Sequence, residues 1–331
     1  MTGILGIHHV TAVARRPQRN VDFYAGFLGL RLVKRTVNYE DPYAYHLYYG
    51  DATGTPGSLL TFFPWGDAPP GRTGSGQVAV TALSILPGSI GFWLERLISR
   101  GMKFTGPTVR AGLAAQPERV LAFTDPDGLL LELVADPAAG ERPGWTGAPG
   151  IPAEHAIRGL YGVTLWVETL EPTERLLVDA LGLRPAREVE TTRRFVTASG
   201  GPGSNVDVRA IGGFGEGADG PGTVHHVAWT VAEEAEQLDL RSRIKGAGLH
   251  PTDVLDRSYF RSVYFQEPGR TLFEIATAGP GFLIDESPDR LGGALALPPR
   301  FAADRATIEA VLPEVHLPGG PTPDWFDRDT V

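Results

Sequence analysis

A fourfold internal repeat restricts how this chain can fold more than any other feature of its sequence. Each repeat unit, called a module below, has a short apolar strand, an amphipathic helix that ends near a glycine, and then several strands separated by Gly/Pro turns. The four helices lead to Gly29, Gly101, Gly182 and Gly248. Self-similarity of this kind indicates one supersecondary unit that is repeated and packed against its copies. We therefore predict an α+β protein built from four βαβββ modules.

A segment rich in Pro, Gly and Ala divides the modules into two pairs. This segment, Asp136–Pro152, lacks a periodic apolar pattern and is typical of a linker. The chain has 331 residues, and domains usually span roughly 100 to 200 residues. We expect an N-terminal domain at 1–140 with modules one and two, a C-terminal domain at 153–280 with modules three and four, and an extension at 281–331. The extension contains one predicted short helix around 303–312 and is expected to pack on a domain surface.

The charge and composition of the chain argue against several kinds of partner and site. A net charge of −9 without a Lys/Arg cluster is unfavourable for binding a nucleic-acid backbone. No apolar run approaches the roughly 20 residues that span a bilayer, and the N-terminus lacks a secretory signal pattern, so we expect a cytoplasmic protein without a membrane segment. Because the chain has no cysteine, any bound metal must be held by His, Asp or Glu.

The first strands of modules one and four each carry an adjacent histidine pair. The pairs are His8-His9, in Gly-Ile-His-His-Val, and His225-His226, in Thr-Val-His-His-Val. Strand side chains alternate between faces, so one histidine of each pair is expected to point into a concave sheet. A lone strand histidine is usually structural, but two pairs at corresponding positions, absent from modules two and three, favour metal ligands.

Two hairpins of the repeat place a glutamate at the same offset after a Pro/Gly turn. They are 123–132, which ends at Glu132, and 265–274, which ends at Glu274. Glu274 lies in an apolar strand, where an unpaired carboxylate would be costly, so a cationic partner is expected. If modules one and four face each other, one histidine from each pair and Glu274 could meet around a metal. Glu132 has no histidine in its own module, and we interpret it as a structural carboxylate that pairs with an Arg or a backbone amide.

The remaining corner of such a site, the last strand of module one, offers no strong ligand. That strand reads Ser58-Leu-Leu-Thr-Phe-Phe63. Two histidines and one carboxylate leave metal positions open, as in non-heme Fe(II) oxygenases, although zinc would accept the same three ligands. The isolated histidines are interpreted as structural or surface residues: His46, His155, His250 and His316.

With these residues the chain resembles the vicinal oxygen chelate superfamily, and within it the hydroquinone-type ring-cleaving dioxygenases. The matching segments are Gly6–Val10, Val33–Thr36, Tyr45–Tyr48, Gly54–Gly57, Val224–Val227, Arg257–Phe260, Tyr264 and Phe273–Glu274. The resemblance implies two tandem domains of the superfamily type with a curved mixed sheet. It also implies a site that takes a small aromatic diol and O2 and opens the ring beside a hydroxyl, which is extradiol-type cleavage.

The resemblance further implies roles for individual residues. The metal ligands fall on His9, His226 and Glu274, and the metal would be Fe(II), with Mn(II) as an alternative. The groups beside the ligands fall on His225, Arg257 and Tyr264, with His8 as a weaker candidate. His225 and Tyr264 have the chemistry to move protons or donate hydrogen bonds, and Arg257 could orient a second substrate oxygen. Related proteins often associate, so a homo-oligomer is also expected.

Two alternative functions are compatible with the same scaffold. The first is a glyoxalase-like isomerase or lyase, which would need a fourth protein ligand in the last strand of module one, where Thr61 and Phe62 stand instead. The second is a protein that binds and sequesters a small molecule without catalysis. Such proteins usually have no metal ligands, so the two histidine pairs weigh against it.

Overall fold

The computed structural model describes residues 3–111, 116–198, 200 and 203–318, and within them the predicted order of elements is confirmed. Residues 319–331 of the predicted extension lie outside the described residues. Module one consists of β1 (Gly6–Ala14), α1 (Pro17–Val21) with a following π-helical segment (Asp22–Phe27), β2 (Arg31–Val37), β3 (Tyr45–Gly50) and β4 (Leu59–Pro64). Module two consists of β5 (Gln77–Ile85), α2 (Ile90–Ser99), β6 (Phe104–Arg110), β7 (Glu118–Thr124) and β8 (Leu130–Ala135).

The second half of the chain repeats this order. Module three consists of β9 (Leu160–Val167), α3 (Leu170–Arg175) with a π-helical segment (Leu176–Ala180), β10 (Arg184–Val189), β11 (Thr192–Val196) and β12 (Asn205–Ala210). Module four consists of β13 (Val224–Val231), α4 (Glu234–Gly246), β14 (Leu255–Asp256), β15 (Phe260–Gln266) and β16 (Leu272–Pro280). No helix in the part of the chain that the structure describes is long and apolar enough to cross a membrane.

The sixteen strands form two mixed sheets of eight, and each sheet joins one module from each half of the chain. The first sheet has the order β14-β15-β16-β13-β1-β4-β3-β2, and the second has the order β10-β11-β12-β9-β5-β8-β7-β6. The two halves of each sheet meet through an antiparallel pair of first strands, β1 with β13 and β5 with β9. Modules one and four therefore share one sheet, and modules two and three share the other.

Modules one and four are neighbours, as a shared site of the two histidine pairs requires. Assigning modules one and two to 1–140 and modules three and four to 153–280 does not describe how the strands pair, because each sheet crosses that division. All four modules have the same periodicity, so the pattern of apolar residues alone could not identify which first strands become neighbours. The boundaries at 140 and 153 stay a prediction.

The helix-ending glycines adopt the conformation that the sequence predicts. Gly29, Gly101, Gly182 and Gly248 have φ values of 68°, 64°, 76° and 83°, in the left-handed region that ends many helices. Gly29 is also tightly packed, since a Cβ added there would lie 2.4 Å from Cδ1 of Ile151. A side chain at this position would displace the linker from module one.

The apolar pattern that leads to Gly248 predicts a buried face for α4 with Leu238 and Ile244 on it. Ile244 is buried, but the Leu238 side chain is 47% exposed. The buried residues of α4 are Gln237, Leu240 and Ile244. Gln237 is accommodated because its Nε2 donates to the backbone oxygens of Arg261 at 2.8 Å and Ile275 at 2.7 Å. These bonds let a polar side chain occupy the place where an apolar residue was expected.

The C-terminal extension packs on module one. Its helix, α5, spans Arg305–Val311 and follows a 3-10 helix at Pro299–Asp304, close to the predicted position. The Tyr45 hydroxyl donates to the Pro313 carbonyl at 2.9 Å. Nearer to β16, the fully buried Lys34 pairs with Asp285 at 2.6 Å. The extension is thus held against the outer strands of the first sheet.

Candidate metal centre

Two β-bulges in the centre of the first sheet determine where the histidine pairs point. In the β1–β13 ladder, Ile7 pairs with Trp229 and His9 with Ala228, so one extra residue lies in β1 at His8. On the partner strand the register shifts again, and His225 is the extra residue. A bulge re-aims side chains and breaks the alternation of faces. The second histidines, His9 and His226, face each other, and His8 and His225 lie beside them, which agrees with the expectation that one histidine of each pair points inward.

The second histidine of each pair meets Glu274. His9 and His226 are buried, and Glu274 has no exposed surface. The two imidazole Nε2 atoms are 3.2 Å apart, and they lie 3.3 Å (His9) and 3.0 Å (His226) from Oε2 of Glu274. Three donors at these separations could all reach one cation at about 2.0 to 2.2 Å, the usual length of metal bonds to nitrogen and oxygen ligands. This is the one such cluster of His, Asp or Glu found among the described residues.

One carboxylate oxygen of Glu274 accepts a hydrogen bond, and the other needs a cation as its partner. Ser262 donates from its Oγ to Oε1 at 2.5 Å, whereas Oε2 is buried without a hydrogen-bond partner in the described part of the chain. Burial alone would raise the pKa of Glu274, but the neighbouring His9 and His226 hold it well below its ordinary value. Burial lowers the pKa of His226 to about 4. A neutral imidazole and an ionised carboxylate are the forms that bind a metal, so the residues present fit one.

The first histidine of each pair holds the second in position. Nδ1 of His8 lies 2.9 Å from Nδ1 of His9, and Nδ1 of His225 lies 2.8 Å from Nδ1 of His226. If His9 and His226 bind a cation through Nε2, their Nδ1 atoms carry the proton and donate to the first histidine. Burial lowers the pKa of His8 to about 3, which keeps it a neutral acceptor. Such partners fix the tautomer and the ring orientation of metal-binding histidines.

A narrow cavity opens in front of these three residues. It is lined by His9, Asn38, Tyr39, Glu40, His46, Tyr48, Phe63, His226, Arg257, Phe260 and Tyr264. Its volume is about 30 Å³, which is room for a water-sized group and less than an aromatic ring needs. A ring could bind only if side chains or the segment Asn38–Ala44 between β2 and β3 moved outward.

Arg257 and Tyr264, both predicted as functional, lie on one wall of this cavity. Tyr264 pairs across the strands with Glu274, and its ring packs edge-on against His226, with 5.6 Å between the ring centroids. The Arg257 guanidinium lies 5.3 Å from the centre of the Tyr264 ring, and its Nη1 donates to Oε1 of Glu40 at 2.8 Å. Burial raises the pKa of Tyr264 well above its ordinary value, so the phenol keeps its proton.

His46 was interpreted as a structural or surface residue, and the structure places it inside the protein beside the candidate metal centre. The residue is buried and lines the cavity. Its Nε2 lies 2.9 Å from Oγ1 of Thr61, and its Nδ1 lies 2.8 Å from the Tyr48 hydroxyl. An isolated histidine gives little signal by itself. The segment Tyr45–Tyr48, which alternates polar rings along one strand face, was the signal that could have identified it.

Thr61 occupies the fourth corner of the site. Its Oγ1 lies 2.7 Å from Oγ1 of Thr11 and 2.9 Å from Nε2 of His46. Both contacts engage the hydroxyl, so this strand offers no strong metal ligand, as the sequence predicted. The other isolated histidines lie elsewhere: His155 stacks on Phe92, with 4.5 Å between the ring centroids, and His250 and His316 are exposed.

The second sheet has an ion-pair network at the corresponding place. Arg110 donates to Oε2 of Glu132 at 3.0 Å, the arginine partner that the sequence predicted for this glutamate. Arg194 pairs with Asp207 at 2.6 Å and with Glu118 at 2.6 Å. Guanidinium groups thus supply the positive charge that the carboxylates of the second sheet need.

Comparison with known proteins is consistent with this site. A model of the Glyoxalase/Bleomycin resistance protein/Dioxygenase superfamily matches residues 6–133. "Putative ring-cleaving dioxygenase MhqO" of Bacillus subtilis is 42% identical over 309 residues, which cover 93% of this chain and 96% of that protein. "Chlorohydroquinone/hydroquinone 1,2-dioxygenase" of Sphingobium indicum is 33% identical over 304 residues, which cover 89% of this chain and 92% of that protein.

Two solved structures show how far the fold is shared. A Bacillus subtilis protein described as a "putative dioxygenase" is 39% identical and superposes with a TM-score of 0.88, covering 96% of this chain and 99% of the other. Glyoxalase I from Zea mays has a TM-score of 0.60 with 16% identity, covering 82% of this chain and 92% of the other. At that identity only the fold can be compared.

Proposed function

This chain belongs to the glyoxalase/bleomycin resistance protein/dioxygenase superfamily, and from that premise we propose that it is a metal-dependent dioxygenase that opens the ring of a hydroquinone- or catechol-type substrate with O2. The relatives that extend over most of the chain are named for ring cleavage or for hydroquinone oxidation. Their names agree with the donor set on the first sheet, which pairs two imidazoles with one carboxylate.

The observation that carries the proposal is the cluster of three donors, with no strong fourth donor beside it in the described part of the chain. His9, His226 and Glu274 lie on three neighbouring strands, while the next strand presents the engaged hydroxyl of Thr61. If these three residues held a metal, no further protein donor would compete with the substrate and O2 for it. A glyoxalase-like isomerase would be better served by a complete protein ligand set, and a sequestering protein would not need the three donors.

We propose Fe(II) as the metal, with Mn(II) as the alternative, and extradiol-type cleavage beside a hydroxyl. When bound, the metal would acidify a phenolic oxygen and connect the electron-rich ring with dioxygen. The oxygen chemistry favours a redox-active metal over zinc, which would accept the same donors.

The residues around the donors would bind and orient the substrate. Tyr264 keeps its proton and can donate from its hydroxyl to a substrate oxygen. Arg257 can orient a second ring oxygen through its paired N–H groups. His8 and His225 would accept the Nδ1 protons of the histidine ligands and hold those rings in place. The aromatic walls, Phe63 and Phe260 among them, would exclude water once a ring is bound.

Oxygen uptake after anaerobic loading with Fe(II) tests this function. The loaded protein is expected to consume O2 with at least one member of a hydroquinone and catechol series and to lose the substrate's aromatic absorbance. Methylglyoxal with glutathione serves as the parallel assay for isomerase activity. No O2 consumption with any dihydroxybenzene while the iron stays bound would contradict the proposal.

Two further expectations stay predictions from the sequence. They are a cytoplasmic location and association into a homo-oligomer. Neither affects the assignment of the donors.

A further inference from the structure

The segment Asn38–Ala44, which joins β2 to β3, covers the mouth of the cavity and is attached to module four. Its residues Asn38, Tyr39 and Glu40 all line the cavity. The Tyr39 hydroxyl donates to Oγ of Ser258 at 2.5 Å. Asn38 fixes the turn from within, because its Oδ1 accepts from the Glu40 backbone N–H at 2.9 Å. The backbone of Glu40 is therefore fixed beside the cavity, and its carboxylate contacts Arg257 from that position.

The charges at this mouth are one cation and one anion in contact. Among the described residues that line the cavity, Arg257 is the one cation and Glu40 is the one carboxylate. Arg257 Nη1 donates to Glu40 Oε1 at 2.8 Å. The guanidinium also lies 5.1 Å from the centre of the Tyr39 ring and 5.3 Å from that of Tyr264, so aromatic faces enclose it on two sides. Glu40 is thus the group that decides whether the positive charge of Arg257 is available to a ligand.

We propose that Glu40 sets the charge selectivity of the cavity: by neutralising Arg257 it favours uncharged dihydroxybenzenes over those that carry a ring carboxylate. This inference rests on the proposed function, since it takes aromatic diols as the ligands. A carboxylate substituent near Arg257 would meet the like charge of Glu40 and would find the guanidinium already paired. An uncharged ring carries no charge that Glu40 could repel, so the Arg257–Glu40 pair does not discriminate against it.

The substitution Glu40→Gln tests the negative charge of Glu40 separately from its hydrogen bond with Arg257. The Gln Oε1 can still accept from Arg257, so the attachment of the segment is kept while the negative charge is removed. We expect the ratio of the Kd of hydroquinone to the Kd of gentisate, a hydroquinone with a ring carboxylate, to rise about five- to tenfold. This is the effect of one unit charge at contact distance in a partly solvated site, since Glu40 is 67% exposed.

Binding is measured on the Fe(II)-loaded protein under nitrogen, so that no turnover is needed. The matched control is Glu309→Gln, which removes an exposed carboxylate paired with Arg305 on α5, outside the cavity lining. It should leave the ratio of the two Kd values unchanged. Oxygen uptake with both rings is then recorded for the same preparations.

The outcomes separate the selectivity from the proposed function. A shifted Kd ratio without any O2 uptake supports the role of Glu40 and contradicts the dioxygenase activity. An unchanged ratio in Glu40→Gln overturns the role of Glu40, whether or not O2 is consumed. An equal decrease of the Kd values of both rings also overturns it, because Glu40 would then act only by holding the segment Asn38–Ala44 in place. Failure of both rings to bind to any variant overturns both proposals.

Discussion

At the scale of single residues, the chemistry of the site depends on a buried group that lacks the usual hydrogen-bond donor. Oε2 of Glu274 is buried without a hydrogen-bond donor, and two imidazole nitrogens lie within 3.3 Å of it. Such an arrangement is costly unless a cation completes it. Glu132 has the same offset in its hairpin but obtains its positive charge from Arg110. The two glutamates thus form a natural pair for comparison.

Removing one of the three donors should abolish metal retention, whereas removing the matched glutamate should not. His226→Ala and Glu274→Gln are each expected to weaken binding of Fe(II) or Mn(II) by about a hundredfold or more, because each variant loses a ligand from a set of three. Glu132→Gln should keep the wild-type metal content even if it lowers stability. The measurement is the metal content per chain of each variant after gel filtration. Equal loss in all three variants would mean that the metal is held elsewhere.

His46 is expected to act on the substrate and not on the metal. His46→Phe keeps a ring between Tyr48 and Phe63 but removes both hydrogen bonds, including the one to the Tyr48 hydroxyl that faces the cavity. We expect kcat/KM to fall about tenfold with the metal content unchanged, since a buried hydroxyl loses its partner. His155→Phe, outside the cavity, is the control. A decrease of the same size in both variants would argue against a role at the cavity.

At the scale of elements, the paired bulges determine how the site is assembled. An unbroken ladder between β1 and β13 would send the two histidines of a pair to opposite faces of the sheet. The bulges at His8 and His225 instead bring the Nδ1 atoms of each pair within 2.9 Å. The sequence predicted the strands and their histidines, but not this local geometry, because one extra residue in a ladder leaves no mark on the apolar pattern.

The bulge histidines should tune metal affinity without being essential for it. His8→Ala and His225→Ala each remove the acceptor that fixes a ligand ring, so we expect the Kd for Mn(II) to rise about ten- to a hundredfold. Titration with Mn(II), followed by the electron paramagnetic resonance signal of the free ion, gives the affinity. If either variant binds Mn(II) as tightly as the wild type, the contact between those two Nδ1 atoms has no orienting role.

At the scale of the whole molecule, the repeat predicted much of the architecture but not its long-range pairing. Four βαβββ modules, the helix-ending glycines and the C-terminal helix follow from local patterns. The crossed pairing does not follow from the apolar pattern, because equivalent strands compete for the same partners until packing selects among them. The two histidine pairs were the signal that placed modules one and four together. The positions of His46 and Glu40 at the cavity were not predicted for a related reason: each is an isolated polar residue that becomes informative only when the fold brings it to the cavity.

A buried carboxylate that joins modules one and two should make stability depend on pH. Asp125, in the β7–β8 turn, accepts from the Tyr24 hydroxyl of module one at 3.0 Å, and burial raises its pKa to about 7. A raised folded-state pKa means that the folded protein binds the proton more tightly, so stability falls as pH rises from the ordinary Asp pKa through about 7.

Asp125→Asn should remove this dependence. Between pH 6 and pH 8 we expect the wild type to lose about 1 kcal/mol more of its unfolding free energy than the variant. The amide oxygen can still accept from the backbone N–H groups of Asp127 and Leu129, as the carboxylate does. Urea unfolding at the two pH values provides the comparison. Parallel losses in the two proteins would show that Asp125 is ionised throughout this range.

The central claim is that His9, His226 and Glu274 hold one metal whose remaining coordination positions are free for substrate and O2. Anomalous diffraction from crystals of the Mn(II)- or Fe(II)-loaded protein tests it most directly. We predict one peak per chain, within about 2.0 to 2.4 Å of the two Nε2 atoms and a Glu274 oxygen, with no other protein donor at bonding distance. A peak elsewhere, or a fourth protein ligand at this one, would contradict the account.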